Sequence, residues 1–471
     1  MLPLRFVVTG VLAFFGATLA FVLRPDVLST YHYNQYVIAV THLFVLGWIS
    51  TIVMGAMYQL VPVALETKLY SERLARWHFV LHLIGFGGMV WMFWTWNMKQ
   101  VGHFGVALAT GVGLFVYNIA RTLRRVPRWN VIATAVASAL VWLSLAVLAG
   151  LTIAAGKCSY ESAATVGAVD PLVHGLAGVA RWVGHFDQMG AMHAHAHLGT
   201  VGVFVMLIIG ISYKLVPMFT LSELQRPWRA QWSLALLNLG LLGSFFSILL
   251  RSAWKPAFAL VAVVGIVLYL VELRAIVQAR KRRTLDWGVK SFLTAVSLLL
   301  PLSLLALVLS WPGLPLNQQT GQLENLYGFL GLAGVVSLAI VGMLYKIIPF
   351  LVWYRVYSGK IGLGKIPSLA DLYCSRLQAI GYWSYVGGLL AVSVAIVSGN
   401  GAGVRWGSTG LLLSLAALLL NVIKMLSHLI WPRFEPFSSK APTEKLSVPA
   451  PASSGASEAF RAGLKTLPSN L

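Results

Sequence analysis

Stretches of about twenty apolar residues, enough for a helix to cross the roughly 30 Å hydrocarbon layer of a bilayer, recur along this chain and restrict what it can become. They begin near Leu2, Tyr36, Trp77, Val101, Val131, Ala191, Gln231, Pro256, Ser291, Leu326, Leu377 and Val404. Inside hydrocarbon every backbone N–H and C=O needs a partner within the chain, so segments of this length must be helices. The expectation is an all-α polytopic membrane protein with about twelve transmembrane helices, its natural partner the lipid bilayer. Mean hydropathy is +0.78, and only 10% of the 471 residues are charged, against about a quarter in soluble domains.

The formal charge of +21 does not indicate a nucleic-acid surface, because Lys and Arg fall in short loops between apolar runs. Arg73 and Arg76, Arg121 to Arg128, Arg226 and Arg229, the Arg280 to Arg283 cluster, and Lys360 to Arg376 all lie on one side if the spans alternate. Cytoplasmic loops carry this excess. The expected orientation is N-in/C-in, with both termini cytoplasmic, in a membrane such as the bacterial inner membrane. The loop 156–189 then falls outside. The Pro/Ser/Ala-rich tail 436–471 is expected to be disordered, leaving a membrane domain over residues 1–435. Cys158 and Cys374 are too few for a disulfide framework or a Cys-rich metal site.

Three spans, 36–62, 191–218 and 326–353, share a pattern that ends in Gly-x-x-Tyr-(Gln/Lys)-(Leu/Ile)-(Val/Ile)-Pro. Tyr58, Tyr213 and Tyr345 align, and sixteen residues before each stand His42, His197 and Phe329. These are the second, sixth and tenth spans, so a four-helix unit is used three times and three pseudo-threefold four-helix arcs follow. On the plainest reading the motif closes a helix at the membrane surface, with Tyr at the headgroups, Lys214 and Lys346 snorkelling and Pro ending the helix.

Eight of the eleven histidines fall on the outer side. The approach to the sixth span carries His193, His195 and His197, of which His193 and His197 share a helix face. Imidazole suits copper, iron or zinc, and Met189 or Met192 adds a soft ligand for cuprous ion; the alternative is a polar collar at the interface. His42 sits about two turns into its span, as a haem or metal ligand or as a hydrogen-bonded core histidine. His103 opens the fourth span on the same side. His78 and His82 form a second i, i+4 pair at the inner start of the third span, where a second metal, a place for protons to enter, or interfacial packing are the options. Carboxylates are scarce in the spans, so no chain of buried acids marks a proton pump or a carboxylate-coupled transporter. No phosphate loop, dinucleotide fingerprint or covalent haem-attachment motif occurs in a suitable context.

With these residues in view, the chain resembles subunit I of the haem-copper oxidase superfamily over about residues 1 to 435, most strongly along the three repeated spans. It is also similar to the NnrS family, haem- and copper-containing membrane proteins linked to nitric-oxide stress, through HAHAHLGTVGVF at His193 to Phe204. The resemblance implies non-covalent haem b and copper. By position His42 takes the axial role of a low-spin haem, His197 or His193 that of a copper ligand. His42 and His197 are then the cofactor-binding candidates, with His193, His195, His197 and His103 near a metal. The seventh and tenth spans hold no histidine, so the ligand set of an oxygen-reducing oxidase is incomplete. What remains implied is electron transfer, or handling of nitric oxide or oxygen as a diatomic gas ligand, with a cytochrome c-like or other redox partner. Any turnover would make it an oxidoreductase. The alternatives are a metal-handling or assembly protein without haem, and a transporter.

Overall fold

The computed structural model describes residues 2–30, 33–165, 184–315 and 317–436. Among these described residues twelve helices are long and apolar enough to cross a membrane: α1 (Leu2–Leu23), α2 (Gln35–Ala64), α3 (Glu72–Trp94), α4 (Met98–Leu123), α5 (Val131–Lys157), α6 (Gln188–Thr220), α7 (Pro227–Leu249), α8 (Lys255–Gln278), α9 (Trp287–Leu309), α10 (Gln318–Lys360), α11 (Ser375–Val397) and α12 (Gly401–Ser427). An antiparallel pair of two-residue strands, β1 (Gly364–Lys365) and β2 (Glu435–Pro436), ties the loop after α10 to the chain beyond α12. We call the side that carries both ends of the bundle the terminal face and the other the distal face. Most of the expected outer loop, with His174 and Arg181, and almost all of the expected tail lie outside the described residues, as does His32.

The repeat is structural. The closest helix pairs are α3 with α4, α7 with α8 and α11 with α12, the same pair in each unit of four. In α2, α6 and α10 a π-helical stretch follows the aligned His42, His197 or Phe329: Leu43–Ser50, Leu198–Val205 and Leu330–Ser337. Such wide turns are rare and short in helices and often occur at functional sites. Within each, an aligned glycine lets two neighbours close in. A Cβ on Gly47 would stand 2.9 Å from Ala13 and 3.1 Å from Phe86; on Gly202, 2.7 Å from Trp142 and 2.8 Å from Leu241; on Gly334, 3.1 Å from Leu298 and 3.5 Å from Leu389. Each glycine therefore sits between the first and third helices of its own unit. Small residues at crossings are how membrane helices approach when no hydrophobic drive pulls them together.

A third recurring contact locks each unit at its terminal end. Asn118 on α4 accepts the backbone N–H of Ser71 at the start of α3 (3.0 Å) and returns a hydrogen bond to its carbonyl (2.7 Å). Asn421 on α12 does the same to Cys374 before α11 (2.8 and 3.2 Å). In the middle unit Glu272, fully buried on α8, accepts the N–H groups of Gln225 and Arg226 before α7, both at 2.7 Å. Glu272 is thus a clamp on a helix N-terminus, satisfying donors that the helix cannot.

Two expectations for the repeated motif need correction. The tyrosines are not headgroup anchors: Tyr58, Tyr213 and Tyr345 are only 4–5% exposed. Their hydroxyls meet His78 (2.9 Å), Ser233 (2.7 Å) and the Asn421 amide (3.1 Å). Proline closes the helix within a turn in α2 and α6, but not in α10. The chain continues helically past Pro62 and Pro217 by less than a turn, and past Pro349 to Tyr357. Lys346, expected to snorkel, pairs with Asp286 at 2.5 Å, while Lys214 is exposed.

Candidate cofactor cavity

The three π-helical stretches converge at the centre of the bundle, where the Trp48 indole N–H donates to the Ser337 hydroxyl at 2.9 Å, both side chains fully buried. Distal to that contact the helices part around a cavity of about 2340 Å³. Pockets for a single small organic ligand are typically about 300–1,000 Å³. Its floor includes Leu46, Ser50 and Val336, its walls are largely apolar, and it reaches the distal surface beside Arg251, Asn317 and Gln318.

His42, His193, His195 and His197 all line this cavity, the first from α2 and the others from α6. Three of them share one arrangement. His42 Nδ1 lies 2.8 Å from the Ile38 carbonyl, His197 Nδ1 2.7 Å from the His193 carbonyl, and His195 Nδ1 2.9 Å from the Ala146 carbonyl on α5. A carbonyl can only accept, so each neutral ring carries its proton on Nδ1 and presents Nε2 as a lone pair. That second hydrogen bond is how proteins orient and tune an imidazole ligand. His42 packs against Phe93, ring centroids 4.6 Å apart. His195 fits because Gly150 has no side chain, since a Cβ there would lie 3.0 Å from its Cε1.

Tyr327 on α10, which the sequence reading did not single out, stacks on His197 (centroids 5.8 Å, 24°), with its hydroxyl 3.4 Å from Nε2. The signal available was its place two residues before the aligned Phe329, which itself lines the cavity as a buried apolar side chain. His103 is exposed and does not line the cavity. Among the described residues no three His, Cys, Asp or Glu side chains gather closely enough to hold a metal ion, so His193, His195 and His197 do not form a three-donor cluster by themselves. Alternation along the helix explains this: His195 turns to α5 while His197 turns to α10.

The mouth of the cavity is basic and ordered. Asp187 caps α6 by accepting the Gly190 N–H at 2.7 Å and pairs with Arg251 at 2.5 Å. Partial burial pushes its carboxyl up, but Arg251 and the Gly190 N–H outweigh that and hold it below the usual carboxylate range. Lys157 bonds the Tyr33 hydroxyl and lies 5.7 Å from the Trp96 ring. Lys255 also lines this region.

His78 and His82 are elsewhere. Rather than packing at the interface, they are 0% and 1% exposed between α3 and α2. His78 Nδ1 meets the Tyr58 hydroxyl at 2.9 Å, and His82 Nε2 meets the Thr51 hydroxyl at 2.9 Å and the Leu46 carbonyl at 3.2 Å.

Fold and cavity together define a twelve-helix membrane protein with an imidazole-lined chamber in its distal half. Residues 1–101, which include His42, His78 and His82, match the family model described as Cytochrome C and Quinol oxidase polypeptide I. A relative, the bacteroid cytochrome c oxidase subunit 1 homolog of Bradyrhizobium diazoefficiens, is 32% identical over 108 residues, a match that covers 23% of this chain and 19% of that protein's length. The chain is an integral membrane protein whose first 101 residues are similar to oxidase subunit I.

Proposed function

We propose that this protein binds haem b in the distal cavity and uses it in electron transfer or in handling a diatomic gas such as nitric oxide or oxygen. The supporting observation is the shared hydrogen-bond pattern of His42, His195 and His197, which leaves three Nε2 lone pairs on a large, mostly apolar cavity. His42 supplies one ligand from α2, and α6 supplies the other through His197, with His195 offering the same geometry. The group fits this site: its apolar faces suit the walls, and Arg251, Lys157 and Lys255 at the mouth suit carboxylates. When bound, haem would supply one-electron chemistry and, where only His42 or only the α6 histidine held it, a place for a gas to bind. The protein's part is to fix the ring tautomers, exclude water with Phe44, Phe93 and Phe329, and neutralise charge at the mouth. Copper on the α6 histidines needs a donor beyond the described cluster, such as Met189 or Met192, both of which line the cavity. Electrons come from a cytochrome c-like or other redox partner. The distal face is the outer face of a bacterial inner membrane, and both termini are cytoplasmic.

The test is spectroscopic. Protein purified in mild detergent is expected to show a stoichiometric b-type pyridine haemochrome, lost in His42→Ala and reduced in His197→Ala or His195→Ala, whichever is the partner. A haem-free protein with intact helices would overturn the proposal in favour of a metal-handling or assembly role, which metal analysis of the same samples would then separate.

A further inference from the structure

Four side chains around the terminal end of α4 form a cluster that neither the cavity nor the helix packing uses. Tyr117, Arg121 and Arg125 follow one another by a turn on one face of that helix, and the α2–α3 turn is laid across them. The Tyr70 N–H donates to the Thr122 hydroxyl at 3.0 Å, next to the bond between Ser71 and Asn118. Tyr70 is thereby held against two guanidiniums, with Arg121 Cζ 4.8 Å and Arg125 Cζ 4.9 Å from its ring centroid. Arg121 also stands 5.8 Å from the Tyr117 ring, which meets Tyr70 edge-on at 5.9 Å and 86°. Stacking on a ring fixes the plane of a guanidinium and leaves its N–H edge to face an anion.

Elsewhere on the terminal face cations are drawn into ion pairs: Arg229 with Glu272 at 3.4 Å, Arg282 with Asp286 at 4.0 Å, and Lys346 with Asp286. Among the described residues no carboxylate pairs with Arg121 or Arg125. Lys68, Arg73, Arg76, Arg124 and Arg128 stand in or beside the same two turns, against Glu66 and Glu72. The bias of positive charge toward one side of a membrane accounts for the sign of these loops, but not for guanidiniums stacked and left without an acid.

Beyond the arginines the same helix face turns toward hydrocarbon. Tyr117 is 47% exposed and Val106 58% exposed. Thr110 is exposed and bonds the Val106 carbonyl of its own helix, and a Cβ on Gly113 would enter open space. A dissolved anion would use only the arginines, whereas a phospholipid uses the whole strip, its phosphate on the N–H edges and its chain on the apolar part. The surrounding cations favour a headgroup that brings no ammonium of its own.

We propose that Tyr70, Tyr117, Arg121 and Arg125 hold the phosphodiester of an anionic phospholipid in the leaflet on the terminal side, phosphatidylglycerol in its chemistry, with an acyl chain lying over Gly113 along α4.

The site does not depend on haem, and its test counts bound lipid. The full chain, purified in mild detergent and stripped of lipid, is titrated with phosphatidylglycerol and with phosphatidylcholine of the same chains, and binding is read by native mass spectrometry. Phosphatidylglycerol is expected to bind at least about tenfold tighter, and Arg121→Gln/Arg125→Gln to lose that preference. Lys281→Gln/Arg283→Gln, which removes as much charge elsewhere on the terminal face, should keep it within about twofold. Equal binding of the two lipids, or equal loss in the two double variants, would overturn the proposal. So would competition by glycerol 3-phosphate as strong as by the lipid, since the site would then take a soluble anion. Should the arginine variant not fold, Gly113→Leu decides: filling the open space is expected to weaken phosphatidylglycerol binding at least about threefold, and unchanged binding would refute the proposal.

Discussion

The two groups of histidines are chemically alike and structurally opposite. His42, His195 and His197 anchor Nδ1 on backbone carbonyls and face a cavity of about 2340 Å³, whereas His78 and His82 meet hydroxyl side chains, and His82 also the Leu46 carbonyl, inside a packed seam. A backbone carbonyl cannot exchange roles, so it holds one tautomer and leaves the far nitrogen available to an outside ligand. A hydroxyl can donate or accept, so the Tyr58 and Thr51 hydroxyls by themselves do not fix the tautomers of His78 and His82. Thus the identity of the partner, more than burial or spacing, separates a ring presented to a cavity from one held in a seam.

The largest effect is expected from exchanging the loss between the two groups. His42→Ala should lower bound haem by about tenfold or more, the scale on which losing a metal-site group acts, while His78→Ala should keep haem within about twofold. Haem-to-protein ratios measured side by side check this, and equal loss in both variants would erase the distinction. An intermediate effect is expected from restoring the missing imidazole. In a His197→Ala background, Phe329→His places a ring at the same register on a cavity wall and should return at least about half of the ferric iron to a six-coordinate low-spin state. An unchanged electron paramagnetic resonance spectrum would put that register out of reach of the iron.

The smallest effect belongs to the terminal half. Burial raises the Asp286 carboxyl, but Lys346, the Val289 N–H and Arg282 together hold it below its ordinary value near 3.8. A depressed carboxylate stabilises the fold above that ordinary value and loses its contribution as pH falls through the lower folded value. Asp286→Asn should therefore cost on the order of 1–3 kcal/mol near neutral pH and nothing at the acid end. Thermal melts across pH are the check, and a pH-independent difference would mean that the ion pair is not its origin.

Much of the fold was legible because hydrocarbon imposes a length: all twelve spans were found, although α3 and α10 begin several residues earlier than their apolar runs suggest. The repeat was legible through Gly-x-x-Tyr, since Gly55, Gly210 and Gly342 mark where the second helix of each unit meets the first, with Cβ positions 2.3 Å from Phe6, 2.1 Å from Ala135 and 2.5 Å from the Gly288 carbonyl. The distal placement of His42 and His197 could be read from the same alignment. Which way each ring turns could not, because apolar residues face lipid and protein alike in a membrane and helical periodicity loses its contrast. For that reason Tyr58, Tyr213 and Tyr345 looked interfacial and His103 looked close to the site. Tyr327 and Thr51 gained their roles from helices distant in sequence.

The π-helical stretches also make the two halves of α2, α6 and α10 angularly independent. An α-helix turns about 100° per residue and a wide turn takes up residues that ordinary winding would not. Were the eight residues Leu43–Ser50 wound as an ordinary α-helix, the segment bearing His42 would swing by about that angle relative to the segment bearing Thr51 and Tyr58. The imidazole would leave the chamber while the seam with α3 stayed in place. These wide turns act as phase adjusters, aiming the distal side chains separately from the packing that holds the bundle together.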